Sequence, residues 1–157
     1  MEKNKEFMDL AIELAGKNID NRDGGPFGAV VVKNGEVIGK GCNHVTTNND
    51  PTAHAEVVAI RDACNNLNTY ELEGCEIYAS CEPCPMCLGA IYWSRIGKLF
   101  YAATKDDAAK ADFDDSFIYK EFCLPKDERS IPSVQLMRDK SIKVFDKWIE
   151  SESKIPY

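Results

Sequence analysis

The chain has 157 residues, 26 acidic against 19 basic side chains for a net charge of −7, 44% hydrophobic residues and 7 cysteines. A chain of this length buries roughly two-thirds of its unfolded surface in one core without disulfides, and its composition excludes a disordered polymer. No apolar run approaches the roughly 20 residues of a membrane span, and the scattered basic side chains disfavour nucleic acid, whose binding is dominated by phosphate contacts.

The opening Met1-Glu2-Lys3-Asn4-Lys5-Glu6 lacks the apolar core of a signal peptide. An odd cysteine count without such a signal points to reduced thiols in the cytoplasm, and so to metal binding or catalysis. Residues 5–19 place Phe7, Leu10, Ala11 and Leu14 at helical spacing. After the break at Gly24-Gly25-Pro26, residues 27–33 and 36–42 read as two strands joined by Asn34-Gly35. Asn-Gly suits that hairpin because both central residues need positive φ.

Residues 53–67 carry Val57, Ile60, Ala63 and Cys64 at helical spacing. A buried strand at 75–80, an apolar helix at 85–92 and an aromatic-rich strand at 98–103 follow. Alternating strands and helices give an α/β layer fold, with the antiparallel hairpin at one edge of a mixed sheet. The last third is broken by Pro125, Pro132 and Pro156, and one more amphipathic helix places Ile142, Phe145, Trp148 and Ile149 together.

The chemistry concentrates in Pro51-Thr52-Ala53-His54-Ala55-Glu56 and Ser80-Cys81-Glu82-Pro83-Cys84-Pro85-Met86-Cys87. Cys84 and Cys87, three apart on a first helical turn, aim both sulfurs one way, and Pro85 suits an early position that needs no N–H. A helix N-terminus favours the thiolates that bind metal. His54 makes a third ligand, and zinc suits two thiolates and an imidazole, with water in the fourth place of a catalytic site. Zinc lowers the pKa of water from about 15.7 toward about 7, and Glu56 is the carboxylate placed to shuttle its proton. Residues two apart in mid-helix point about 200° from one another. His54 and Glu56 therefore share one site only at a helix mouth, expected near Thr52 with its hydroxyl as cap.

His-x-Glu followed by Pro-Cys-x-x-Cys is the pattern of zinc-dependent nucleobase deaminases. The chain resembles the cytidine-deaminase superfamily and, within it, the small bacterial guanine deaminases, over nearly its whole length. The likeness is carried by residues 24–30, Asn43, residues 49–56, residues 80–93 and Phe113-Asp114-Asp115-Ser116-Phe117-Ile118-Tyr119. The zinc motif identifies the superfamily, while the Phe-Asp-Asp segment and terminal Tyr157 narrow the likeness to guanine deaminases.

The resemblance implies a three-layer α/β/α sandwich around a central mixed five-stranded sheet, with one zinc per subunit. It implies hydrolysis of guanine to xanthine and ammonia by water attack at C2, with Glu56 and Asp115 as catalytic residues. Asn43 and Asp115 contact the base, Phe27 and Trp93 sandwich it, and the backbone N–H groups near Ala55 and Cys84 position its attacked edge. A deaminase domain spans 1–122, and 123–157 is exchanged within a homodimer so that Tyr157 closes the partner's site as a lid, a low-cost route to a dimer. The base's chemistry fits: a carboxylate only accepts, so Asp115 suits the N1–H and 2-amino donors of guanine, while the Asn43 amide both donates and accepts.

Other readings are a deaminase of cytosine, guanosine or a tRNA adenosine, and a non-hydrolytic module in which Cys84 and Cys87 form a structural zinc clip or Cys81 and Cys84 a redox pair. Cys42, Cys64, Cys75 and Cys123 read as small buried hydrophobes. His44 reads as a surface or hydrogen-bonded residue. Of Asp114 and Asp115, one caps the helix running from Ser116, and Asp115 is favoured for substrate.

Overall fold

The computed structural model describes residues 2–157. The chain divides after Ser116 into two compact units. In the first, helix α1 (Glu2–Asp20) precedes strands β1 (Gly28–Lys33) and β2 (Glu36–Cys42), whose turn holds Asn34 and Gly35 at φ of 52° and 80°. A short helix α2 (Val45–Asn48) and the longer α3 (Ala55–Leu67) follow, then β3 (Cys75–Cys81), α4 (Pro85–Trp93), β4 (Lys98–Ala103) and α5 (Lys105–Ala109).

The strands form one mixed sheet in the order β2-β1-β3-β4, with β1 antiparallel to both neighbours and β3 parallel to β4. The sheet has four strands among the described residues, not the five expected. After Ala103 the Thr104 hydroxyl accepts the Asp107 N–H while the Asp107 carboxylate accepts the Thr104 N–H, and this capping box turns the chain into α5. Farther on, the prolines at 125 and 132 remove ladder donors, and no strand forms among the described residues there.

Alternation along β1 divides the core. Ala29 and Val31 join Ala55, Ala59, Ile60 and Ala63 of α3 and Ile77 of β3 in one buried cluster. Val30, Val32 and Tyr78 join Ala11 in another, with Phe7, Met8, Leu10 and Leu14 of α1 packed against it. Period-two side chains on a strand produce this split.

The approach of α3 to β2 is close because small residues meet there. A Cβ on Gly41 would lie 2.1 Å from the Ala55 carbonyl oxygen, and one on Gly39 would lie 2.5 Å from that of Ala59. No side chain fits between strand and helix at these two points, so α3 is seated by its Ala55-Ala59-Ala63 stripe.

The second unit comprises the rest of α6 (Ser116–Cys123) and α7 (Arg138–Glu150). In the single chain its apolar residues stay uncovered, Phe145 at 64% and Ile149 at 65% exposed. Cys123, expected to be buried, is exposed on α6 for the same reason: its unit builds no enclosed core around it. Among the described residues no helix is long and apolar enough to cross a membrane.

Gly41→Ala should destabilise the fold by about 3 kcal/mol in urea titration, at the upper end of overpacking costs. It should also lower zinc content, because the added methyl pushes against the first turn of α3. A Gly41→Ala protein with unchanged midpoint and metal content would contradict this account of how α3 is seated.

Candidate active site

His54 and Cys84 occupy equivalent places. Each is the N-cap residue of its helix, in extended backbone with φ and ψ of −70° and 153° for His54 and −65° and 168° for Cys84. Helix α3 thus begins at Ala55, not near Thr52. The Thr52 hydroxyl donates to Asp50 Oδ1 at 2.7 Å and takes no part in capping, because the Asp50 turn holds it. This later start resolves the geometry of His-x-Glu: His54 lies just outside the helix and Glu56 in its first turn, so both serve the helix mouth.

The structure brings His54, Cys84 and Cys87 together. His54 Nδ1 lies 3.5 Å from the sulfur of each cysteine, and the three ligand atoms lie within 4.8 Å of one another. Bonds of about 2.3 Å to sulfur and about 2.0 Å to nitrogen on a tetrahedron imply sulfur–nitrogen separations of about 3.5 Å, so the donor set fits zinc. Glu56, buried, accepts a hydrogen bond from Cys87 Sγ at 3.4 Å, which sets its carboxylate against the ligand cluster.

The thiols are strongly split. The hydrogen bond from Cys87, with His54 beside it, pulls the Cys84 thiol down to about 4. The same contact pushes Cys87 up, helped by burial and the Glu56 carboxylate. Cys84 is therefore the sulfur that ionises first and Cys87 the one that keeps its proton. The Cys84 hydrogen bond raises His54, and burial raises Glu56. Both cysteines stand at the open N–H end of α4, where the helix dipole favours negative charge.

Asp115 is raised by burial first and by the Cys84 thiolate next, and its charge in turn raises His54. Asp114 accepts the Ser116 N–H at 2.8 Å and so serves the start of α6. Phe27 meets Phe113 edge-on, with ring centroids 4.9 Å apart. Phe113 enters the sequence reading only as part of the Phe-Asp-Asp segment, with no site role; its place two residues before Asp115 is the signal for one.

Asn43 is joined to both neighbours of the site: its N–H donates to Phe27 O at 3.1 Å, and the next N–H, of His44, donates to Ala53 O at 2.9 Å. Its Oδ1 accepts the N–H groups of Gly25 and Val45, each at 3.3 Å. The amide thus does not both donate and accept toward a ligand. Its oxygen is committed to backbone, and two N–H donors remain.

Ala55 is buried at the first position of α3. Trp93 is not brought to the cluster. It is 72% exposed at the last position of α4, while Cys84 caps the first, a separation of about 13 Å along the helix. Tyr157 is exposed at the end of the second unit. Cys81 donates to Thr104 O at 3.5 Å, and burial pushes its thiol up to about 11, which suits packing rather than redox exchange.

The model of the cytidine and deoxycytidylate deaminase zinc-binding region matches residues 1–103. The chain belongs to this deaminase family. It is 54% identical to the guanine deaminase of Bacillus subtilis over 151 residues, 96% of this chain and 97% of that one. The solved structure of a Bacillus subtilis guanine deaminase superimposes with a TM-score of 0.95 at 53% identity, covering 98% of each chain. A tRNA-specific adenosine deaminase of Aquifex aeolicus is 54% identical over 97 residues, 62% of this chain and 64% of its own. The family's zinc-binding region and the His54-Cys84-Cys87 cluster agree on zinc as the cofactor.

Zinc uptake by the metal-free protein should release at least about one proton per ion at neutral pH, since Cys87 must give up its proton and His54 must be neutral to ligate. Calorimetry in two buffers of different ionisation enthalpy reads that proton directly. Acidification should weaken zinc binding, and a proton-neutral uptake would contradict a protonated Cys87 in the metal-free protein.

Proposed function

We propose that this protein is a cytoplasmic zinc-dependent guanine deaminase that hydrolyses the free base to xanthine and ammonia in purine turnover. The observation that carries the reading is the likeness to guanine deaminase along both full lengths. It therefore includes the part beyond residue 103, where the zinc-binding region ends.

His54, Cys84 and Cys87 hold the metal, one ion per subunit. When bound, zinc supplies the Lewis acidity that brings a water's pKa toward about 7. Glu56 takes the proton of the attacking water as oxygen bonds to C2. It passes that proton to N3 of the ring; the proton of the new C2 hydroxyl then goes through Glu56 to the amine as the C2–N bond breaks, so that water and guanine leave as ammonia and xanthine. Its carboxyl, raised by burial, suits a group that must both accept and release a proton. Asp115 accepts from the N1–H and 2-amino edge, Asn43 donates to the base, Phe27 braced by Phe113 covers one face, and the N–H groups of Ala55 and Cys84 position the attacked edge.

The helices form two layers about the sheet, a reading supported by the two separate apolar clusters on β1. Residues 1–122 form the deaminase domain and 123–157 is exchanged between subunits of a homodimer, with the partner's Tyr157 closing the site. The uncovered apolar side chains of α7 support an exchange, since such a face needs a surface to cover it. A Trp93 contact to the base comes from the second copy as well, given its distance from Cys84 in its own chain.

Ammonia release from guanine, guanosine, adenine, cytosine, cytidine and tRNA tests the substrate. Guanine alone should react well; activity confined to cytosine or tRNA would replace the reading with another branch of the family. Glu56→Gln should retain zinc and lose at least about 100-fold in kcat, and retained turnover would remove Glu56 as the proton shuttle. Deleting residues 154–157 should cut kcat/KM at least tenfold with an unchanged melting temperature. Full activity in that truncation would overturn the lid.

A further inference from the structure

Asn18, near the end of α1, is 2% exposed and belongs to none of the chemistry assigned so far. Its Nδ2 donates to Gly25 O at 2.9 Å and to Asn43 O at 2.8 Å. Both acceptors are carbonyls, so the orientation of the Asn18 amide is fixed by its partners. The two residues it holds are the two ends of one small network, because Gly25 returns its own N–H to Asn43 Oδ1. Val45 N–H supplies the second bond to that oxygen. Gly24 completes the enclosure: a Cβ there would lie 2.1 Å from Asn43 O and 3.0 Å from Asn43 Oδ1.

We propose that Asn18 is a positioning residue which, by pinning the Gly25 and Asn43 backbones, fixes the Asn43 side chain as a donor toward the base. A flipped Asn43 amide would aim its NH2 group at the Gly25 and Val45 N–H groups, donor against donor, so the flip is excluded while that backbone is held. The base edge that meets Asn43 must then present an acceptor. This deepens the guanine reading and rests on it: guanine offers acceptors at O6, N7 and N3, and an analogue that removes the one facing Asn43 is refused. Release of Asn18 frees the Gly24-Gly25 segment, lets the amide turn, and lets it meet donors and acceptors alike.

The test has two readouts. In Asn18→Ala, amide hydrogen exchange at Gly25 and Val45 should accelerate more than tenfold while Val31 in β1 is unchanged. Equal exchange at Gly25 and Val45 in variant and wild type overturns the proposal, whatever the substrate. The second readout is discrimination, measured as competition against guanine by 2,6-diaminopurine, 7-deazaguanine and 3-deazaguanine, which replace the acceptor at O6, N7 and N3 in turn. Wild-type protein should bind at least one of them at least tenfold more weakly than guanine, and Asn18→Ala should narrow that gap to under threefold. In an Asn43→Ala background the Asn18 substitution should no longer change the gap. Gaps for all three analogues that match between wild type and Asn18→Ala overturn the proposal, because a merely structural role lowers stability without altering selectivity. A wild-type protein inactive on guanine removes the substrate reading, and the exchange measurement then decides the placement of the amide alone. If Asn18→Ala does not fold, Asn18→Ser keeps one short donor and is read in the same two ways.

Discussion

Two helices that start at the same point define this molecule's chemistry. His54 and Cys84 are each the last extended residue before a helix, and Cys87 follows within the first turn of α4. Each helix mouth exposes N–H groups with no intrahelical acceptor and a partial positive charge. Converging two mouths makes a pocket that favours anions before any metal arrives, and the Cys87 hydrogen bond and His54 beside it lower the Cys84 thiol further. Ligand atoms all within 4.8 Å of one another cannot tolerate a helix displaced by an ångström. The requirement therefore passes down to whatever seats α3 and α4.

The sheet meets that requirement with backbone contact. Gly39 and Gly41 of β2 let the carbonyls of Ala59 and Ala55 approach to distances that any side chain would forbid. The first turn of α3, which carries Glu56, is thus set against the end of β2, and β2 leads directly into Asn43. On the other side, β3 runs straight into the Cys84 loop, and the Glu82 N–H donates to Ala103 O at 2.8 Å, tying that loop to the end of β4. The ligand cluster, Glu56 and the Asn43 amide are all fixed from strand ends. That is the usual place for a site in a layered α/β fold.

Local rules written into short stretches were legible in the sequence, while relations between distant stretches were not. The Asn34-Gly35 turn, the four strands and the pairing of His54 with Cys84 and Cys87 follow from turn chemistry, alternation and ligand spacing. The Thr52 hydroxyl points to an early start for α3, yet Asp50, two residues away, captures it. Helix α5 is too short to show a periodicity, and only the capping-box spacing of Thr104 and Asp107 marks it. The fifth strand came from resemblance alone, and the prolines in the last third speak against it. Asn18 gave no signal at all: a polar residue late in an amphipathic helix ordinarily faces solvent, and its partners lie 7 and 25 residues away. Trp93 shows the opposite case: its nearness to Cys84 in sequence hides the length of α4, which sets it at the far end of that helix.

Charge balance bears on the proton-carrier role proposed for Glu56. Two thiolates cancel the charge of a bound divalent ion, and a neutral imidazole adds none, so the loaded centre places little net positive charge beside the carboxylate. A lone cation about 4 Å away would favour ionised Glu56 by about 4 kcal/mol at an effective dielectric of 20, enough to hold the carboxylate ionised throughout. Cancellation by Cys84 and Cys87 leaves burial as the dominant influence, and burial raises Glu56 above the ordinary carboxylate range. A site built from three histidines would carry the full dication and lose that balance. The choice of cysteine for two of the three ligands is therefore tied to the work of the neighbouring glutamate, as well as to the affinity of the metal.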